Sequence, residues 1–194
     1  MRPQLSLSDK AALIELSKRS ILHAVKTGDE LALQHGEYCG HLSQPRSSFV
    51  TLRKEGSLRG CIGSIDGPRP LAEDVAHNSY GAALFDTRFS PLTEGELPSI
   101  EIHLSVLGPV EEIQFETEEE LLHQLCPPLD GLVLREVGTQ GVFLPVMWQR
   151  IPDRRMFLEH LKQKASLPAR YWSDNLRAFR FRVDFDLDGD FGGA

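Results

Sequence analysis

Three stretches of this chain alternate apolar and polar side chains with period two, and this constrains the fold more than any other feature. SIEIHLSVL (99–107) sends Ile100, Ile102, Leu104 and Val106 to one face and Glu101, His103 and Ser105 to the other. AFRFRVDFDLD (178–188) alternates strictly and reads as the final strand, and FVTLRKEGSLRGCIGSI (49–65) reads as two short strands around a KEGS turn. Strands of this kind bury one face and leave the other polar, as in an antiparallel sheet covered on one side.

Helices supply the cover. Residues 8–27 carry Leu13, Ile14, Ile21, Leu22 and Val25 on one broad face, with Ser8 as N-cap and Gly28 as the stop. The segment 68–85 places Leu71, Val75, Ala82 and Phe85 on one helical face. Thr117 and Glu120 form a capping-box signature ahead of a short helix, and Asp153 caps RRMFLEHLKQKA. GLVLREVGTQGVFLPVMW (131–148) reads as a second hairpin. The order ββαβ thus occurs twice, at about 49–107 and about 131–187, although the two halves share no obvious sequence. The expected class is α+β, mostly antiparallel sheets with flanking helices, in two lobes built from a ββαβ pseudo-repeat. Chance production of that order in a mixed chain stays open as the alternative. The expected organisation is a single domain over 8–187, with lobes at about 8–110 and 111–187, and a loose acidic tail over 188–194.

Composition sets outer limits. The chain's 194 residues suffice to bury roughly 70% of the surface the unfolded chain exposes, so no staples are required. A net charge of −7 without a Lys/Arg block disfavours nucleic acid as a partner. Cys39, Cys61 and Cys126 are an odd and scattered set, as in a reducing compartment. No h-region or 18-residue apolar run is present, so the expectation is a cytoplasmic protein without a membrane span.

Chemistry concentrates in SLRGCIGS (57–64). Strand alternation points Leu58, Gly60 and Ile62 one way and Arg59, Cys61 and Gly63 the other. Arg59 and Cys61 then share a face, where a cation favours the thiolate, while the glycines let a ligand or another backbone approach. His103, on the polar face of SIEIHLSVL, joins Cys61 if the two strands share a sheet, and a Cys–His pair with a carboxylate is what nucleophilic catalysis needs. The alternative is a buried structural cysteine with Arg59 bound to a local carboxylate.

LRGCIG (58–63) is the signature hexapeptide of the AMMECR domain family, whose bacterial members are called AmmeMemoRadiSam system protein A. The chain resembles that family in order along nearly its whole length, through DTRFSPL (86–92), SVLGPVEEI (105–113), FLPVMWQ (143–149) and FLEHLKQKASLPARYW (157–172). The resemblance implies an α+β fold in two lobes and a recurring grouping with a Memo-like protein and a radical S-adenosylmethionine protein, but no defined reaction. Arg59, Gly60, Cys61 and Gly63 carry over from the hexapeptide, and Asp86, Arg88, Phe89 and Pro91 from the DxRFxP stretch. His103 belongs to no matched motif. Arg88 is read as an anion clamp or as a loop-holding residue; with Arg59 in one cleft it suits a small anionic ligand. Asn78 and His77 are rim candidates on the preceding helix.

Other signals are weaker. His35, Cys39 and His41 are zinc-type residues without a fourth ligand, so no metal site is assigned. Asp184, Asp186, Asp188 and Gly189 match half a calcium loop, but the chain ends before the twelfth position. Trp148 and Trp172 read as packing residues. No phosphate-binding glycine loop occurs, and no cofactor is assigned. Two functions follow as expectations: a Cys-dependent or small-molecule site around Cys61, Arg59 and Arg88, or a non-catalytic binding module for the Memo-like and radical proteins.

Overall fold

The computed structural model describes residues 5–34, 36–67 and 69–191. They form two compact units, one of residues up to 107 together with 184 onward, the other of 108–183.

In the first unit, α1 (Leu7–Thr27) starts at Ser6, whose hydroxyl accepts from the Asp9 amide while the Asp9 carboxylate accepts from the Ser6 amide. This capping box lies two residues before the expected Ser8 cap. Gly28, in the left-handed region, closes the helix as expected. The strands β1 (Ser48–Lys54) and β2 (Ser57–Gly63) form the first hairpin, followed by α2 (Leu71–Leu84) and β3 (Ile100–Leu107). The sheet order is β2-β1-β3-β8, where β8 is Val183–Asp190. Val50, Leu52, Ile102 and Leu104 are fully buried beneath Leu13, Leu16 and Ile21 of α1 and Leu71 and Val75 of α2. Phe85, expected on the buried face of α2, is instead 58% exposed and lies tilted against the Tyr80 ring.

The second unit contains β4 (Glu111–Ile113), α3 (Glu118–Gln124), the hairpin β5 (Gly131–Glu136) and β6 (Thr139–Phe143), α4 (Arg154–Lys164) and β7 (Arg177–Phe181). Its sheet order is β4-β7-β5-β6. Leu132, Leu134 and Ala178 pack with Phe157, Leu158 and Leu161 of α4, and Trp148 stacks on Phe157 at 3.6 Å between ring centroids. The Trp148 indole donates to the Asp130 carbonyl, which satisfies its one polar atom. Trp172 packs more loosely against the same core, beside Phe115. Lys162 is fully buried, and its ammonium reaches Glu118 at 2.5 Å.

The expected pseudo-repeat is present as topology. β1-β2-α2-β3 and β5-β6-α4-β7 occupy matching places, giving β2-β1-β3 in one sheet and β6-β5-β7 in the other. The strand after each repeat completes the other sheet: β4 follows β3 but pairs with β7, and β8 follows β7 but lies beside β3. The register also reveals sequence identity that direct reading of the halves missed. Leu52 pairs with Gly60 and Leu134 with Gly141, which aligns LRKEGSLRG with LREVGTQG. A methyl group on Gly60 would sit 2.2 Å from the Ala82 carbonyl oxygen of α2, and one on Gly141 2.8 Å from the Leu161 carbonyl oxygen of α4. Each glycine is the point where a helix backbone rests on its sheet. The extra residue of the first hairpin is a bulge, because pairing passes from Leu52–Gly60 to Arg53–Leu58 and leaves Arg59 without a residue opposite.

AFRFRVDFDLD is two strands rather than one. Even-numbered Ala178 meets the second core and odd-numbered Phe185 and Leu187 the first, while odd-numbered Phe181 is buried over Gly131 on the other face of β7. Because β8 packs on the first core, residues 188–190, expected in the loose tail, finish that strand, where Gly189 lies against Ile14 of α1. No helix of the described residues is long and apolar enough to cross a membrane.

Candidate functional site in the first hairpin

Gly60 and Ile62 face α2, since Ile62 abuts Gly81 and Gly60 abuts Ala82. Cys61 therefore faces away from the helices. It pairs with Thr51, which pairs in turn with His103. All three side chains lie on one sheet face, and the Thr51 hydroxyl donates to the Cys61 sulfur at 3.2 Å. The thiol is partly buried, unpaired with another cysteine, and not sealed among aliphatic groups. Gly63 accommodates the ring of Phe49, which lies 2.2 Å from where a Cβ would be.

His103 does not serve this thiol. β1 separates them by two strand spacings, roughly 10 Å. Its Nδ1 lies 2.7 Å from Asp188 and its Nε2 3.2 Å from Asp186, so β8 engages both ring nitrogens. The hydrogen bond with Asp186, joined by that with Asp188 and opposed by burial, raises its pKa to about 9. The imidazole is a cation at neutral pH and no base for Cys61.

Arg59 is also committed elsewhere. The bulge turns its guanidinium onto Glu96, with Nε 3.0 Å from one carboxylate oxygen and Nη2 3.1 Å from the other. Nη1 donates to the Ser90 carbonyl, and the side chain is only 13% exposed. Arg59 thus ties the hairpin to the DTRFSPL loop instead of standing beside the thiol. The Arg59 hydrogen bond, against burial and with help from Thr93 and Lys54, lowers the Glu96 pKa to about 2.

The cation near Cys61 is Arg88. Asp86 accepts from the Cys61 amide at 2.8 Å and holds Arg88 through Nε at 2.8 Å and Nη2 at 2.5 Å. Nη2 also reaches the Cys61 carbonyl at 3.4 Å. The hydrogen bond from Arg88, against burial and aided by the Cys61 and Arg88 amides, lowers the Asp86 pKa to about 2. Arg88 is raised in turn, chiefly by Asp86 and in smaller part by the Cys61 side chain. Its side chain is half exposed, and Phe89 lies between it and Arg59, 5.6 and 5.9 Å from the two guanidinium carbons.

Asn78 is no rim residue. It is buried, and its amide nitrogen donates to the Ser48 carbonyl, the Ser48 hydroxyl and Asp74. Asp74 is fully buried and accepts as well from the Ser48 amide and the Ser64 hydroxyl, fastening α2 to both ends of the hairpin. His77 faces Glu30. His35 lies outside the described residues; Cys39 and His41 are exposed, and no metal-type cluster occurs among the described residues. Asp184, Asp186 and Asp188 point from one side of an extended strand toward Arg46, Ser105 and His103, and diverge instead of converging on an ion.

Reading the sequence alone missed Thr51 and Glu96. A two-residue loop at the KEGS turn would put Thr51 opposite Gly60; the bulge at Arg59 shifts it opposite Cys61, and nothing local in the sequence announces that bulge. Glu96 carries a local signal, the capping box with Thr93, but nothing local announces its bond to a residue 37 positions away.

Comparison with known proteins now decides the kinship. The sequence model of the AMMECR1 family matches residues 14–185. The chain belongs to the AMMECR1 family. A protein of Methanothermobacter thermautotrophicus is 30% identical over 188 residues, covering 95% of this chain and 97% of its own. One from Saccharolobus islandicus is 35% identical over 177 residues, covering 87% and 77%. The crystal structure of an uncharacterized protein from Pyrococcus horikoshii matches with a TM-score of 0.82 and 28% identity over 90% of this chain and 88% of that one. The fold of this AMMECR1-family chain is therefore that of the Pyrococcus horikoshii protein.

Proposed function

We propose that this AMMECR1-family protein is a binding module, presenting the first hairpin and the DTRFSPL loop to a Memo-like protein or a radical S-adenosylmethionine protein. One observation carries the reading. The groups a thiol enzyme would recruit are engaged elsewhere, Arg59 by Glu96 and His103 by β8, while the loop beside Cys61 exposes Phe85 and a half-open Arg88 over Phe89. Exposed aromatic and arginine side chains are the residue types that anchor protein interfaces. Co-purification tests it: Phe85→Ser and Arg88→Ala should each weaken capture of the partner, and Cys61→Ala should leave it intact. Capture of neither partner at micromolar concentration would end the proposal.

A second reading rests on the thiol. Cys61 is partly exposed, receives the Thr51 hydroxyl and neighbours Arg88, an arrangement suited to a small anionic ligand at the sulfur. Alkylation rates against pH separate the two. A Cys61 that reacts no faster than a free peptide thiol at neutral pH supports the docking module and excludes a nucleophile.

A further inference from the structure

The backbone of β2 has a free side, since β2 ends its sheet. The Ser64 amide donates to Ser48 on β1, so by alternation the amide and carbonyl of Cys61 point outward from the sheet edge. Both are taken by side chains: the amide by Asp86 and the carbonyl by Arg88. An acceptor for the N–H and a donor for the C=O are what one residue of an added strand would supply.

The carbonyl half of this device recurs in the second unit at the equivalent position. Val142, one residue after Gly141 as Cys61 is one after Gly60, lies on β6, the end strand of its sheet. Its carbonyl accepts from the Lys164 ammonium at 2.7 Å, and Lys164 is the last residue of α4. The two remaining edges carry other deterrents. β4 is only three residues long and bears Glu111 and Glu112, and β8 carries an aspartate at every second position from 184 to 190. Short length and charge are the usual means by which an edge strand is kept from pairing.

We infer that Arg88 with Asp86, and Lys164 at the matching place, are edge guards that stop a second copy of this chain from adding a strand to β2 or β6. The two hairpins then share a purpose beyond packing: in each, a basic side chain at or shortly after the end of the following helix reaches the carbonyl of the residue after the packing glycine. Arg88 has this task whether or not it also meets a partner.

The test uses the full chain alone. Asp86→Ala/Arg88→Ala and, separately, Lys164→Ala are compared with the parent by sedimentation velocity over a hundredfold range of concentration. Each variant should associate as concentration rises, beyond any association of the parent. Phe85→Ser, in the same loop but not on the edge, should behave as the parent. In the double variant at low concentration, hydrogen exchange of the Cys61 amide should quicken at least tenfold. A variant of either kind that keeps the parent's circular dichroism and its mass throughout would overturn the inference. Should the double variant fail to fold, Lys164→Ala, at an exposed helix end, decides alone.

Discussion

Glu96 and His103 look like catalytic acids and bases by their titration, yet each is a fastening. The Glu96 carboxyl titrates at about 2 because Arg59 grips both oxygens. A depressed carboxyl stabilises the fold above its unfolded pKa near 4.5 and loses that contribution as pH falls toward 2. After solvent screening the linked contribution is on the order of 1 kcal/mol. Glu96→Gln should therefore be less stable than the parent in urea at pH 7, with the difference shrinking as pH falls through about 2. His103 has the opposite sign, because its raised pKa stabilises below about 6.5 and the effect is lost as pH rises through about 9. With over a third of its side chain in water, screening reduces this to about 1 kcal/mol. Thermal melts of His103→Asn should fall below the parent at pH 6 and coincide with it at pH 10.

At the scale of elements, the repeated hairpin makes a paired prediction. Gly60→Ala and Gly141→Ala both press a methyl group onto a helix carbonyl. Each should cost about 2 kcal/mol, measured by urea unfolding. The costs should add in the double variant, since the two sites share no partner. The sequence showed the hairpins, both long helices and the ββαβ order, because amphipathic periods are local. It hid the division of AFRFRVDFDLD, since Phe179, Phe181, Val183, Phe185 and Leu187 continue one alternation on paper. Only the identity of the sheet each half joins shows that Ala178, not Phe179, is the β7 residue packed against α4. The site was legible in the same measure. Cys61's face followed from strand parity, whereas the bulge at Arg59, which redirects its guanidinium to Glu96, depends on pairing with β1.

For the whole molecule, exchange of the closing strands makes the units unequal as chains. Residues 108–183 contain all four strands of the second sheet, while 5–107 lack β8 and leave β3 as an open edge. A fragment 108–183 should melt cooperatively by circular dichroism, and a fragment ending at 107 should do so only when a peptide spanning 182–191 is added. The functional claim rests on one surface of the first unit, where a neutralised loop with exposed Phe85 and Arg88 flanks a thiol that lacks a base. Calorimetric titration of the Memo-like protein or the radical protein into the parent, Phe85→Ser and Cys61→Ala tests that claim most directly. The account predicts that Phe85→Ser weakens binding about tenfold or more, as loss of an aromatic anchor does, while Cys61→Ala stays within about twofold. The reverse order, with Phe85→Ser silent and Cys61→Ala abolishing the interaction, would contradict it.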